Sequence, residues 1–208
     1  MSQAVASRYL QSLESLLETG SRTVLGLVGA PGSGKSTLAA ALKEHFGSRA
    51  VIVPMDGYHL ANSELAHLGR AGRKGSEDTF DSAGYVALLR RIRQQQAGEI
   101  IYAPEYRREM EEGIAGAIAV HPETQLVITE GNYLLLDRGH WAAVRPLLDR
   151  AWYVDVDDNV RRERLVERYM RFGRDRQDAI DWANNTDEPN ARLIATTRDR
   201  ADEIFRWE

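Results

Sequence analysis

The run Gly29-Ala30-Pro31-Gly32-Ser33-Gly34-Lys35-Ser36-Thr37 satisfies G-x-x-x-x-G-K-[ST] at every fixed position. In that pattern glycines let the backbone turn tightly and bring several N–H groups close to one anion. The run from Ala30 to Thr37 is therefore expected to cradle the phosphates of a nucleotide. Lys35 should reach the β- and γ-phosphates, the Ser36 hydroxyl should ligate Mg²⁺, and Thr37 could donate to the α-phosphate. The competing reading is a Gly/Ser-rich surface turn that matches by chance. The flanks argue against it. Thr23-Val24-Leu25-Gly26-Leu27-Val28 reads as a buried strand, and Ser36 to His45, rich in Ala and Leu, reads as a helix whose N-terminus adds positive partial charge.

Two acids follow apolar strand-like runs. Ala50-Val51-Ile52-Val53-Pro54 leads into Met55-Asp56-Gly57-Tyr58-His59, and Gln125-Leu126-Val127-Ile128-Thr129 leads into Glu130. Parallel α/β sheets bind ligands outside the carboxyl ends of their strands, so both acids are expected on the edge that carries the phosphate loop. There Asp56 could take the proton of an attacking hydroxyl or hold it in line with a γ-phosphate; it could equally just cap the turn before Gly57. Glu130, ending its strand as a Walker-B acid does, is expected to hold Mg²⁺ opposite Ser36, with Asn132 and Tyr133 on the same edge. Tyr58 and His59 belong with Asp56 as candidate substrate contacts. Arg73 and Lys74, in a glycine-rich basic stretch, could meet an anion or form a solvated turn. The polar stretch Glu105 to Glu111 suits either a loop that hydrogen-bonds a hydroxylated substrate or an exposed turn.

A long helix is expected from a cap at Asp158 or Asn159 to about Phe172, and it is rich in arginine: Arg161, Arg162, Arg164, Arg168 and Arg171, with Arg174 and Arg176 beyond Gly173. Arg164 and Arg168 share a face. A solvated, ion-paired helix is one reading; the other is a lid hinged at Gly173, spanning about 164–182, that places guanidinium groups on transferring phosphoryl charge. Arg168 and Arg174 are its candidate catalytic arginines.

The elements that must position these residues fit one domain over 1–208. An apolar stripe of Val5, Tyr9, Leu10, Leu13, Leu16 and Leu17 predicts a helix from about Ser2 to Glu18, stopped by Gly20. Asp81 is expected to cap a helix reaching Gln96. Glu99 to Pro104 reads as a short strand, Ile114 to Val120 as an edge strand or hairpin, Trp141 to Leu148 as a short helix, and Ala151 to Val156 as a core strand. Asn184 to Pro189 reads as a turn and helix start, and Ala195 to Trp207 should add a closing strand. The pattern is α/β: a three-layer fold with a mostly parallel central sheet, helices on both faces and a small helical lid.

Hydrophobic residues make up 43% of the chain, enough for a core, and the net charge is −4. That balance, without a basic aromatic-rich face, argues against nucleic acid as a partner. The chain has no cysteine, no apolar run of membrane-spanning length and no signal-peptide pattern, so the cytoplasm is the expected compartment. A homodimer is an open option.

Taken together the residues resemble the phosphoribulokinase, uridine kinase and bacterial pantothenate kinase group. Besides GAPGSGKST, the segments MDGYHL, RKGSEDTFD, APEYRREME, ITEGNYLLLD and NNTDEPNARLI occur in that order and cover the chain from Thr23 to about Asp202. The sequence looks most like the branch labelled nucleoside or nucleotide kinase-like, or "putative fructose-transport-associated sugar kinase". The resemblance implies an ATP-dependent kinase acting on an alcohol hydroxyl, with Asp56 as general base, Glu130 as metal-binding acid, and Lys35 and Ser36 in the phosphate loop. It places a substrate motif at Tyr106, with Arg108 and Glu111 nearby, and Asn190 with the nucleotide-binding residues. Arg107 stands where the family usually has Asp, and Phe172 rather than Arg precedes Gly173, which departs from the uridine-kinase pattern. The expectation is a Mg·ATP-dependent kinase of a small molecule, a sugar such as fructose or a nucleoside. A pantothenate-kinase-like or uridine-kinase-like enzyme is the alternative. The rival from another class is a nucleotide-dependent regulatory switch with water as its sole acceptor, against which the absence of an N-K-x-D base-specificity motif counts.

Overall fold

The structure, a computed structural model, describes residues 4–207. In chain order its main elements are α1 (Ser7–Leu17), β1 (Thr23–Val28), α2 (Lys35–Phe46), β2 (Ala50–Ile52), α3 (Asn62–His67), α4 (Ser82–Arg93), β3 (Ile101–Arg107), β4 (Glu112–Val120), β5 (Leu126–Gly131), β6 (Arg150–Val154), α5 (Asp158–Arg171), α6 (Arg176–Trp182), α7 (Glu188–Ala195) and β7 (Glu203–Phe205). Ser2, where the first helix was expected to begin, lies outside the described residues.

Five strands form one sheet in the order β2-β5-β1-β6-β7, each pair parallel. The two central strands, β1 and β5, are buried along their whole length, as a parallel strand covered on both faces must be. Alternation divides β1 between two cores. Leu25 and Leu27 pack with Tyr9, Leu13 and Leu17 of α1 and Leu38 and Leu42 of α2. Val24 and Val28 pack with Tyr85, Leu89 and Ile92 of α4 and Ile194 of α7. The layers are thus helix, sheet, helix, and every parallel strand points its carboxyl end at one edge, as the α/β pattern predicts.

Several local expectations are corrected. Of the two readings for Ile114 to Val120, the hairpin is the one found: β3 and β4 form a separate two-stranded antiparallel sheet rather than an edge of the main one. Trp141 to Leu148 is covered not by one α-helix but by two 3₁₀ turns, Gly139–Ala143 and Arg145–Leu147, with Pro146 in the first turn of the second, where its missing N–H breaks no bond. The cap of α5 is Asp157, which accepts from the N–H of Asn159 at 2.9 Å, one residue ahead of the expected caps. Asp81 does cap α4, accepting from Gly84 N–H at 2.8 Å, and α4 ends at Arg93. No turn interrupts 184–189: a π-helical segment, Ala183–Asp187, carries α6 into α7. Pro189 has no N–H for the carbonyl four residues back, and a widened turn ahead of it absorbs that loss. The closing strand is limited to three residues, Glu203–Phe205.

Candidate functional site

The phosphate loop leaves β1 and enters α2. Gly32 and Gly34 hold φ of +80° and +95°, a region that favours glycine. A Cβ on Gly32 would also meet the Arg161 carbonyl oxygen at 2.7 Å, so α5 packs directly against the loop. Lys35 is 7% exposed and its ammonium donates to the carbonyls of Gly29 (2.8 Å) and Ala30 (3.1 Å). Burial lowers its pKa to about 8, opposed by the charges of Glu130 and Asp56. Across the loop Ser36 Oγ donates to Glu130 Oε1 at 2.9 Å. Glu130 is buried at the end of β5, and desolvation, with the nearby Asp56 carboxylate, raises its pKa against the pull of Lys35 and the Ser36 hydroxyl.

These groups open onto a cleft of about 870 Å³. Pro31, Gly32, Gly34, Lys35, Ser36 and Thr37 form its floor on the phosphate side. Asp56 lines the same cleft, in the tight turn after β2. A Cβ on Gly57 would meet the Pro104 carbonyl oxygen at 2.4 Å, so that glycine lets the Asp56 turn seat against the hairpin. Arg108 at the hairpin end lies 3.9 Å from Asp56 Oδ2. His59 stacks on Phe80 (centroids 4.0 Å apart) and leans on Tyr106 (4.8 Å). Burial depresses the imidazole pKa to about 4, which keeps it neutral at physiological pH. Lys74 sits 5.5 Å over the Tyr106 ring, donating to Asn62 Oδ1 at 2.5 Å and to the Glu111 carbonyl. Glu111 itself has φ of +53°, the one non-glycine positive φ among the described residues. Asn132 completes this wall.

The opposite wall comes from α5, α6 and the segment between them. Arg168 and Arg174 line the cleft, flanking Tyr169 at 5.4 and 5.6 Å from its ring, and Arg174 lies 4.2 Å over Trp182. Neither arginine, nor Arg164, has a carboxylate within ion-pair distance among the described residues.

Six expected site residues do not line the cleft. Arg73 is turned away and held by both carboxylate oxygens of Asp78 at 2.5 and 2.6 Å. Tyr133 is buried; its hydroxyl donates to the Gly75 carbonyl at 2.6 Å, and Asn190, also buried, reaches that carbonyl at 3.4 Å. Together they pin the basic stretch from beneath. Tyr58 packs edge-on to Tyr85 in the core. Ala30 and Ser33 line a smaller cavity behind the loop instead. Conversely, Asn62, Phe80, Arg164, Tyr169, Asp187 and Trp207 line the cleft without having been expected there. The shared face of Arg164 with Arg168 was the one available signal. Nothing local marks Trp207, whose Nε1 lies 3.4 Å from where a Gly34 Cβ would stand.

The donor set fits a nucleotide polyphosphate with Mg²⁺. The loop offers backbone N–H groups and an ammonium, and Ser36 and Glu130 offer two hard oxygens side by side. Among the described residues no cluster of three or more His, Cys, Asp or Glu forms a protein cage for a metal. Two protein oxygens are what Mg²⁺ requires when phosphates and water complete its shell.

Comparison with known proteins agrees with this geometry. The family model described as Phosphoribulokinase / Uridine kinase family matches residues 24–207. A putative uridine kinase from Schizosaccharomyces pombe is 34% identical over 190 residues, covering 86% of this chain and 80% of that one. A uridine kinase from Halobacterium salinarum is 30% identical over 184 residues, covering 87% and 78%. The crystal structure of a putative fructose transport system kinase from Silicibacter sp. TM1040 superposes with a TM-score of 0.79 at 39% identity, over 89% of this chain and 90% of that one.

Proposed function

The chain belongs to the phosphoribulokinase / uridine kinase family of ATP-dependent phosphotransferases, and on that premise we propose that it transfers the γ-phosphate of Mg·ATP to a hydroxyl of a small polyhydroxylated acceptor. The observation that carries the reading is that Asp56 shares one cleft with Lys35, Ser36 and Glu130. Asp56 accepts the hydroxyl proton as the acceptor oxygen bonds to the γ-phosphorus and the bond to the β,γ-bridging oxygen breaks, leaving ADP. Lys35 and the loop amides neutralise charge on the phosphates. Ser36 and Glu130 would hold Mg²⁺, which would supply further neutralisation when bound. Arg168 and Arg174 reach the transferring group from the lid wall. The base lies on the Gly34 side, where the indole of Trp207 and the guanidinium of Arg164 offer planar surfaces for stacking.

The acceptor wall mixes signs: Asp56 and Glu111 alternate with Arg108 and Lys74, and Asn62, Asn132 and His59 add neutral donors and acceptors. Hydroxyl groups satisfy such a set, and the Tyr106 and Phe80 rings suit the apolar face of a sugar ring. The names of the relatives point to a sugar or a nucleoside, both of which carry such hydroxyls. The test is a panel of acceptors, beginning with fructose and uridine, read by ADP release. ADP release should depend on an acceptor, and Asp56→Asn should keep nucleotide affinity while turnover falls by about 10²–10⁴-fold. Release that no acceptor stimulates, or unchanged turnover in Asp56→Asn, rejects the reading.

A further inference from the structure

We propose that Asp187 is a positioning residue: through the Tyr169 hydroxyl it latches the ring that holds Arg168 and Arg174 against the cleft. Three observations converge on it. Asp187 is 5% exposed yet lines the cleft wall. Its Oδ2 accepts the Tyr169 hydroxyl at 2.7 Å, across 18 residues of chain that include the tip of the lid segment. And it ends the π-helical segment Ala183–Asp187, a register found frequently at functional sites. From the end of that segment the Asp187 carboxylate meets α5 through Tyr169.

The chain of contacts is short. Asp187 fixes the Tyr169 oxygen, and the Tyr169 ring then presents a face to each arginine, at 5.4 Å for Arg168 and 5.6 Å for Arg174. A cation–π contact holds a guanidinium with about 0.5–1 kcal/mol at an exposed site, enough to bias its position and weak enough to release it. No other hydroxyl or carboxylate bridges α5 to the π-helical segment in this way among the described residues; the neighbouring Arg161 and Arg162 are both taken up by Glu188. Burial raises the Asp187 carboxyl above its ordinary value, opposed in part by the Tyr169 hydroxyl and the Arg168 charge. The proposal rests on the kinase reading for its effect on turnover but not for the latch itself.

Limited trypsin digestion separates the two. Arg171 and Arg176 are exposed cleavage sites that flank the lid tip, and Arg91 on α4 is an exposed site far from it. Cleavage at a helical site requires local opening, so its rate reports how firmly that segment is held. In Asp187→Ala and Tyr169→Phe, cleavage at Arg171 and Arg176 should rise about fivefold or more, the loss of roughly one hydrogen bond, with Arg91 unchanged. Asp187→Asn, whose amide oxygen still accepts, should recover much of the protection. With an active acceptor in hand, kcat should fall about tenfold in Asp187→Ala while KM for ATP stays within about twofold. Wild-type cleavage rates in Asp187→Ala and Tyr169→Phe overturn the latch and leave the kinase reading intact. Equal acceleration at Arg91 and at the lid also overturns it, because it shows loss of global stability instead. Failure of every acceptor, with cleavage confined to the lid, overturns the kinase reading and leaves the latch standing.

Discussion

The two walls of the cleft handle charge in opposite ways. On the phosphate side the groups that face the cleft with charge or metal-binding oxygens have internal partners: Lys35 is held by two loop carbonyls, and Ser36 by Glu130. On the lid side Arg164, Arg168 and Arg174 have no carboxylate among the described residues, and the last two rest on aromatic rings. This is not a shortage of acid. On the same helix Arg161 and Arg162 share Glu188, and elsewhere Arg198 and Arg206 share Asp155. The difference teaches where each wall does its work. A floor that is fixed before the ligand arrives costs no reorganisation, whereas an arginine that must be delivered would first have to break any ion pair it had made. Aromatic faces hold it at less cost.

The strongest way to break this comparison is to remove the one cation on the fixed wall. Lys35→Met should reduce turnover by about 10³-fold or more, as expected when a preorganised charge at the transferring group is lost. Thermal unfolding of the free protein should not suffer: among the described residues the buried ammonium bonds carbonyls and has no carboxylate within ion-pair distance, and burial outweighs the pull of Glu130 and Asp56 on it, so an apolar chain of similar length relieves its desolvation. A drop of several degrees in Tm would show that Lys35 stabilises the empty fold.

The second experiment gives the lid wall the partner it lacks. Phe172 is 49% exposed and lines the cleft, so Phe172→Glu places a carboxylate among the lid arginines without opening a cavity. Turnover should fall about tenfold through competition for the guanidinium groups, and added salt should restore part of it by screening. An unchanged rate would mean that freedom from carboxylates is not what matters on that wall.

The smallest effect sharpens the phosphate side. The Lys35 pKa lies at about 8 in the free protein, below its ordinary 10.5, and phosphate oxygens raise it. Near pH 8 the free lysine is half-protonated, so binding ATP should take up about half a proton, fading toward zero below pH 7. Calorimetry in buffers of different ionisation enthalpy measures this directly. The same shift fixes the sign for stability. Between about pH 8 and 10.5 the unfolded chain binds the proton that the folded chain has shed, so this group makes the free protein more stable as pH rises through that window. Lys35→Met should remove that slope.

Much of the phosphate wall could be read from the chain alone, because its parts are contiguous. Gly29 to Thr37 carries its own turn, its ammonium and its helix start. The parallel strands before Asp56 and Glu130 send both acids to the edge where the loop lies, since strands of one direction share one carboxyl end. The acceptor wall was legible only in part. Asp56, His59, Lys74, Tyr106, Arg108, Glu111 and Asn132 meet in the cleft, but Arg73, two residues beyond Ala71 in the same basic stretch, turns to Asp78, and Tyr133, beside Asn132, turns into the core. Residue type and spacing do not say which of two neighbours faces in; competition for a carboxylate or a carbonyl does.

What the sequence determined, then, is whatever follows from short-range backbone geometry and hydrophobic alternation: the three-layer α/β order, the loop, and the strand ends that carry the acids. What the tertiary structure alone decided is the set of contacts between segments far apart in the chain. Trp207 comes beside Gly34, Tyr169 reaches Asp187, and a π-helical turn replaces an expected break before Pro189. Those placements are settled by packing α5 against the loop at Gly32 and by the order in which five parallel strands assemble, and neither leaves a periodic or local signature in the residues involved.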